Sequence, residues 1–394
     1  MRAGGLALVS LGLDPLWLAR TAYAVRRRPV SAAADRPVLV CLFQRGAVDG
    51  LSMVVPFTDS AYYRARPRIA IPAKAVLPLD GRFGLHPALA SLKPLWDQRA
   101  LAVVHAVGSP AATRSHFEAQ DNIETGTPGI RATRDGWLNR YLSHRAEHRE
   151  TPFRSVALGP ELPRLLAGQA PGLAIGDLAA LGTFDATPAT ALVAASPREH
   201  TEAVQILRGV QPWSYSPANG AEYPVGPLGR SLLQIVQLIK ADVGLEIAFA
   251  DVGGWDTHYD QGGCEGRLAA RLHDLAKGVA AFCRDLGDRM ERVVMLTMSE
   301  FGRTVQENGS AGTDHGHGTA MLVLGGPVHG GNVLGKWTGL EGPSLFDGRD
   351  LAVTTDFRDL FGEIAVRHLG AADLGPVFPG YDVTADRFPG VLRG

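Results

Sequence analysis

Pro37-Val38-Leu39-Val40-Cys41-Leu42-Phe43 is an unbroken apolar run that stops at Gly46 and is followed by Asp49-Gly50. A run with no polar alternation cannot keep one face in water. It reads as a strand covered on both sides, the habit of central strands in parallel sheets. Leu101 to Val107 repeats the pattern and ends at Gly108-Ser109-Pro110. Between them, Gly84-Leu85-His86-Pro87 leads into a helical stretch over Ala88 to Trp96. Strand, helix, strand in this order predicts a right-handed βαβ crossover.

The same rhythm returns downstream. The sequence predicts a helix over 228–243, a strand over 245–250, a long helix over 263–286, and strands over 293–298 and 320–324. A closing helix over 357–369 starts after Asp356, a good N-cap. The expectation is an α/β fold with a mostly parallel central sheet, one domain over 36–394. Residues 151–225 alternate short apolar pieces with Pro, Gly and Ala-Thr-rich loops, and read as an insertion or cap over that sheet.

The bulk numbers narrow the function classes. The 394 residues carry 39 Lys and Arg against 40 Asp and Glu, which argues against a nucleic-acid partner because such binders present a basic excess. Cys41, Cys264 and Cys283 cannot all pair and form no Cys-x-x-Cys, so neither a disulfide framework nor a zinc–thiolate site is expected. At the start, Met1-Arg2, the apolar stretch Gly4 to Leu13 and the small-x-small Ala22-Tyr23-Ala24 follow the order of an export segment over 1–24. The expected location is periplasmic or secreted, with no transmembrane span.

Chemistry-bearing residues gather just after the predicted strands, where open α/β sheets place their ligand sites. Asp256 and His258 follow the strand over 245–250. Glu300 and Arg303 follow the strand over 293–298. Asp314, His315 and His317 lead into the strand over 320–324, with glycine on both sides of His317. Asp49 follows the first strand. Carboxylates with imidazoles suit zinc, manganese or iron. Each group also has a bland reading, as a capped loop or a surface ion pair, but three successive buried strands bring three such groups to one edge. Thr113, Ser115 and His116 precede a helix over 117–125. A hydroxyl there lies near unpaired backbone N–H groups, which favours an oxyanion, and a neighbouring metal would make it a nucleophile. Alternatively Ser115 is the N-cap, with Glu118 completing a capping box.

Several segments resemble DUF1501, a family of exported bacterial proteins. They are Phe43 to Ser52, Gly84 to Leu89, Arg114 to Gln120, Gly253 to His258, Ser299 to Thr304, Gly312 to Gly316 and Thr355 to Asp359. The family looks like a branch of the alkaline phosphatase and sulfatase superfamily, which implies a three-layer sandwich with helices on both faces of the sheet. The resemblance implies metal ligands at Asp49, Asp256, His258 and Glu300, with His315 or His317 as a late ligand, holding one or two divalent ions, zinc or manganese. It places Ser115, or else Thr113, as the nucleophile, with Arg303 and His116 as charge stabilisers or substrate contacts. Ser109-Pro110-Ala111-Ala112-Thr113-Arg114 has the wrong spacing for the sulfatase signature, so a formylglycine sulfatase is not expected. The implied activity is metal-dependent hydrolysis or transfer at a phosphate or sulfate ester of a small molecule or polysaccharide. The alternative is a non-catalytic metal protein that binds glycan or a protein partner.

Overall fold

The computed structural model describes residues 36–145, 151–180, 192–194 and 196–393, so the export segment expected over 1–24 lies outside the described residues. Strand β1 (Val38–Gln44) is buried along its whole length and lies inside a ten-stranded sheet. The other strands are β2 (Leu101–Gly108), β3 (Ser155–Leu158), β4 (Leu173–Ile175), β5 (Leu192–Ala194), β6 (Ile247–Val252), β7 (Val293–Met298), β8 (Thr319–Gly325), β9 (Val333–Leu334) and β10 (Thr355–Asp356). Their spatial order is β9-β2-β8-β7-β1-β6-β3-β4-β5, with β10 beside β2. Most neighbours are parallel. The exceptions are β8 against both of its neighbours and β5 against β4.

Alternation along β1 explains the three layers. Val38, Val40 and Leu42 pack with the apolar stripes of α3 (Pro227–Lys240) and α4 (Arg267–Leu286), including Leu232, Ile235, Leu272 and Leu275. Leu39, Cys41 and Phe43 point to the other face, toward α1 (His116–Thr125), α2 (Trp137–His144) and α5 (Phe357–Arg367). Side chains of a strand project alternately, so an all-apolar strand must be sandwiched. Asp356 caps α5 by accepting from the Arg358 N–H, as its position predicts. Cys41 is a core hydrophobe whose thiol burial pushes up to about 12, and the three cysteines are free.

Among the described residues of 151–225, part of the chain joins the sheet itself. Ser155–Leu158 pairs in parallel with Ile247–Ala250, and β4 and β5 extend the sheet outward from there. Two of the short apolar pieces are strands inside the sheet, too short for the sequence to reveal which sheet they join, and β5 forms its edge. No helix among the described residues is long and apolar enough to cross a membrane.

One edge of the sheet collects the chemistry. β1, β6 and β7 run parallel and end there. β2 is antiparallel to β8, which is antiparallel to β7, so β2 ends on that edge as well. β8 therefore starts on it, and the residues just before Thr319 arrive beside the residues that follow the other strands.

Crowding at this edge requires glycine at position 302. A Cβ there would stand 1.9 Å from the Gly318 carbonyl oxygen and 2.7 Å from its carbon. Backbone cannot swing aside as a side-chain tip can. Gly302→Ala is expected to destabilise the fold by about 1–3 kcal/mol, read as a lower urea midpoint at unchanged m-value. A midpoint equal to that of wild type would contradict the close approach.

Candidate metal centre

Three donors meet above the ends of β2 and β6 and the start of β8, with a fourth, His258, beside two of them. Ligand atoms of His116, Asp256 and His315 lie within 4.8 Å of one another. His315 Nε2 is 3.0 Å from His116 Nε2 and 2.9 Å from His258 Nε2. Asp256 Oδ1 is 3.0 Å from His258 Nε2 and 3.4 Å from His315 Nε2, and Asp256 Oδ2 is 3.7 Å from His116 Nε2.

The opposite side of each imidazole fixes its tautomer. His116 Nδ1 faces Glu300 Oε1 at 2.8 Å, His258 Nδ1 faces Asp314 Oδ1 at 3.0 Å, and His315 Nδ1 faces the Arg114 carbonyl at 2.8 Å. Carboxylates and carbonyls only accept, so each Nδ1 carries the proton and donates. When neutral, each ring turns an unprotonated Nε2 toward the others. Lone pairs facing lone pairs and a carboxylate repel unless a cation lies among them. The outer partners are those that metal-bound histidines use to set ring orientation. Donors held about 2.0–2.1 Å from one ion stand roughly 3.3 Å apart in a tetrahedron, close to the separations seen here. The donor set fits a divalent ion.

Buried groups hold the donors in place. Phe301 packs its ring 5.0 Å from that of His116 and 5.1 Å from that of His315. Glu300 is buried and accepts from the Gly46 N–H, Gln120 Nε2 and His116 Nδ1 through Oε1, and from the Ser299 hydroxyl through Oε2. Burial alone would push its carboxyl up, but the bonds from His116, Gln120 and backbone N–H groups hold it below the usual range. The expected ligand Glu300 is thus the partner that orients His116.

Asp256 is likewise low despite desolvation, because the Arg303 guanidinium bonds to it and adds its positive charge. Burial lowers His315, opposed by its bond to the Arg114 carbonyl and reinforced by the Arg303 charge.

Arg303 does not face solvent as a charge stabiliser. Its Nε donates to the Ala47 carbonyl, Nη1 to that of Thr313, and Nη2 to those of Gly46 and Trp255 and to Asp256 Oδ1.

Asp49, expected as a ligand, is occupied elsewhere. Arg66 donates to both of its oxygens, at 2.6 and 3.0 Å, inside a buried pocket that also contains Ser52 and Gln261. Desolvation would raise this carboxyl, yet Arg66 above all, then Ser52 and Gln261, hold it low. Of the two late histidines, His315 joins the donors, whereas the His317 ring stacks on Phe346 with centroids 4.3 Å apart. His116, expected as a substrate contact, stands among the donors.

Ser115 is the N-cap of α1 but makes no side-chain cap bond. The expected capping box is replaced by Thr113, whose hydroxyl donates to Glu118 and accepts from the Ser115 N–H. Ser115 is exposed between Arg114, whose carbonyl holds His315, and His116.

Residues 189–377 match DUF1501, described as a protein of unknown function. Asp256, His258 and His315 lie inside the DUF1501 match, whereas Asp49, Ser115 and His116 precede it. No curated protein matches the chain. Among solved structures it is similar to the PsFucS1 sulfatase from Pseudoalteromonas sp., with 13% identity over 97% of this chain and 78% of that one and a TM-score of 0.39. It is also similar to the C-terminal periplasmic domain of EcEptC from Escherichia coli in complex with Zn, with 10% identity over 74% of this chain and 73% of that one and a TM-score of 0.36. A third is a variant of the alkaline phosphatase PafA, with 12% identity over 68% of this chain and 64% of that one and a TM-score of 0.34.

The Asp49–Arg66 pair makes its own prediction. Asp49→Asn leaves a buried guanidinium without its counter-charge and is expected to cost about 3–5 kcal/mol at neutral pH. The Asp49 pKa is lowered on folding from the ordinary 3.8. Its contribution is therefore complete above that value and lost as pH falls through the folded value. Urea unfolding below about pH 4 should show wild type losing stability more steeply than Asp49→Asn. Equal slopes would contradict the linkage.

Proposed function

We propose that this is an exported metal-dependent hydrolase or transferase acting on a phosphate or sulfate ester, with Ser115 as nucleophile. The observation that carries the reading is the cluster of His116, Asp256 and His315, whose ligand atoms lie within 4.8 Å of one another, with His258 Nε2 beside Asp256 and His315. His116, Asp256, His258 and His315 would hold one divalent ion, zinc or manganese, since Asp49 is taken by Arg66. A bound ion supplies Lewis acidity toward an ester oxygen and lowers the pKa of a neighbouring hydroxyl.

The protein's own residues supply position and polarity. Ser115 opens α1, where first-turn N–H groups and the helix dipole favour an oxyanion. Its hydroxyl is uncommitted to the cap, whereas that of Thr113 is bonded to Glu118, which favours Ser115 of the two. Side chains of Asp256 and His258 are 44% and 38% exposed, so a substrate can approach from solvent. A small-molecule or polysaccharide ester suits such an open edge.

One observation favours the second reading, a metal-containing binding protein for glycan or a protein partner. Three cations at this edge are already paired: Arg303 with Asp256, Arg45 with Glu124 and Asp251, and Arg114 with Asp347 and Asp350. Phosphoryl transfer normally calls on a cation for equatorial charge.

Elemental analysis of the purified protein, combined with aryl phosphate and aryl sulfate assays, separates the two. Ser115→Ala should keep its metal and lose turnover by roughly 100-fold or more. His315→Ala should lose both. Metal without turnover on any ester would favour the binding protein. An unchanged rate in Ser115→Ala would remove Ser115 from the chemistry.

A further inference from the structure

Gln261 lies outside the donor set, yet its buried amide joins the two loops that carry most of it. Its Oε1 accepts the Thr257 hydroxyl at 2.8 Å and the Thr313 hydroxyl at 2.8 Å. Thr257 stands between the donors Asp256 and His258, and Thr313 two residues before the donor His315. Its Nε2 donates to Asp49 Oδ2 at 2.7 Å and Ser52 Oγ at 3.4 Å. The backbone runs through the same joint: the Thr313 N–H donates to the Thr257 carbonyl, and the Gln261 N–H to that of Ala311. Gln261 and Thr313 are 0% exposed and Thr257 1%, so no water competes for these bonds.

The arrangement has a definite polarity. A carboxylate only accepts, so Asp49 draws the amide NH2 toward itself and leaves the amide oxygen for the two threonines. Asp49 in turn is held by Arg66, whose other hydrogens go to Ser52 Oγ and the Thr304 and Val305 carbonyls. We infer that Gln261 is a positioning residue for the metal centre, directed by the Asp49–Arg66 pair and acting on the donors through the hydroxyls of Thr257 and Thr313. The inference rests on the metal-centre reading above. It gives Asp49 a role at the centre without placing it among the ligands. A primary amide is required at 261, because glutamate would set a carboxylate against Asp49 and lose the donor.

Partners one step outside a metal's ligands typically matter 10–100-fold in affinity. The test is zinc affinity of the full chain, by competition with a chromophoric chelator, together with the visible spectrum of the cobalt-substituted protein. Thr313→Val keeps the shape and removes one hydroxyl, Thr313→Ser restores it, and Gln261→Leu removes the joint. Thr313→Val and Gln261→Leu are expected to weaken zinc binding roughly 10–100-fold and to alter the cobalt bands, with Thr313→Ser returning to wild type. Circular dichroism of the metal-free variants checks that each is folded. If Gln261→Leu does not fold, the Thr313 pair decides alone. Wild-type affinity and spectrum in Thr313→Val would overturn the inference while leaving the metal centre standing, as would Thr313→Ser being as weak as Thr313→Val. A wild-type chain that binds no zinc or cobalt would overturn the metal-centre reading and this inference with it.

Discussion

The Arg303 guanidinium, buried at the sheet edge, donates to the carbonyls of Gly46, Ala47, Trp255 and Thr313 and to the Asp256 carboxylate. Those groups belong to the loops after β1 and β6 and before β8, and Arg303 itself belongs to the loop after β7. Four strand ends are thus tied to one planar ion. Removing such a charge from water costs several kcal/mol, and only a full set of directed acceptors offsets it. Lysine could not replace it, since a single ammonium lacks the fork that reaches acceptors in several directions. Every other feature of the centre presupposes this knot, because it fixes where Asp256 and the chain around Thr313 sit.

A second constraint acts on the imidazoles. Left free, a histidine between a carboxylate and another histidine has two tautomers and a protonated form to choose from. Here Glu300, Asp314 and the Arg114 carbonyl each claim an Nδ1 proton, so all three rings, when neutral, present the same bare nitrogen inward. The resulting repulsion is a cost that folding must carry without an ion and that an ion relieves. Structure and ligand affinity are linked through it, since whatever pins the rings inward raises the gain from binding.

Much of this was legible in the sequence, and the failures have physical causes. β1 and β7 were fixed by apolar runs that allow no other exposure. Asp256 and His258 follow from the strand-end rule, which left His315 and His317 open; His315 reaches the same edge because β8 runs antiparallel, a direction the apolar run itself does not encode. Asp49 and Glu300 occupy ligand-like places in their motifs but differ in what faces them: Arg66, seventeen residues on from Asp49, and His116, from the other half of the chain. Partners at such separations leave no local pattern. Nothing in Asp260-Gln261-Gly262 marks Gln261 either, because a buried glutamine and a surface one have the same neighbours in sequence.

The two shells of the site therefore differ in how they are encoded. Donors must reach a common point and so sit at strand ends, which periodicity reveals. The groups behind them have only to be buried, polar and complementary, and any turn of the fold can deliver those. Asp49 shows the consequence. A carboxylate after the first strand of such a sheet is well placed to bind an ion directly, but Arg66 neutralises it and Gln261 takes up its remaining capacity to accept. On the proposed reading one ion would suffice for the donors that remain, and the carboxylate would act on the centre through the loops it holds. Where charge in a buried site is balanced by a guanidinium of the chain itself, the number of ions the site can hold is set by that pairing as much as by the count of acidic residues.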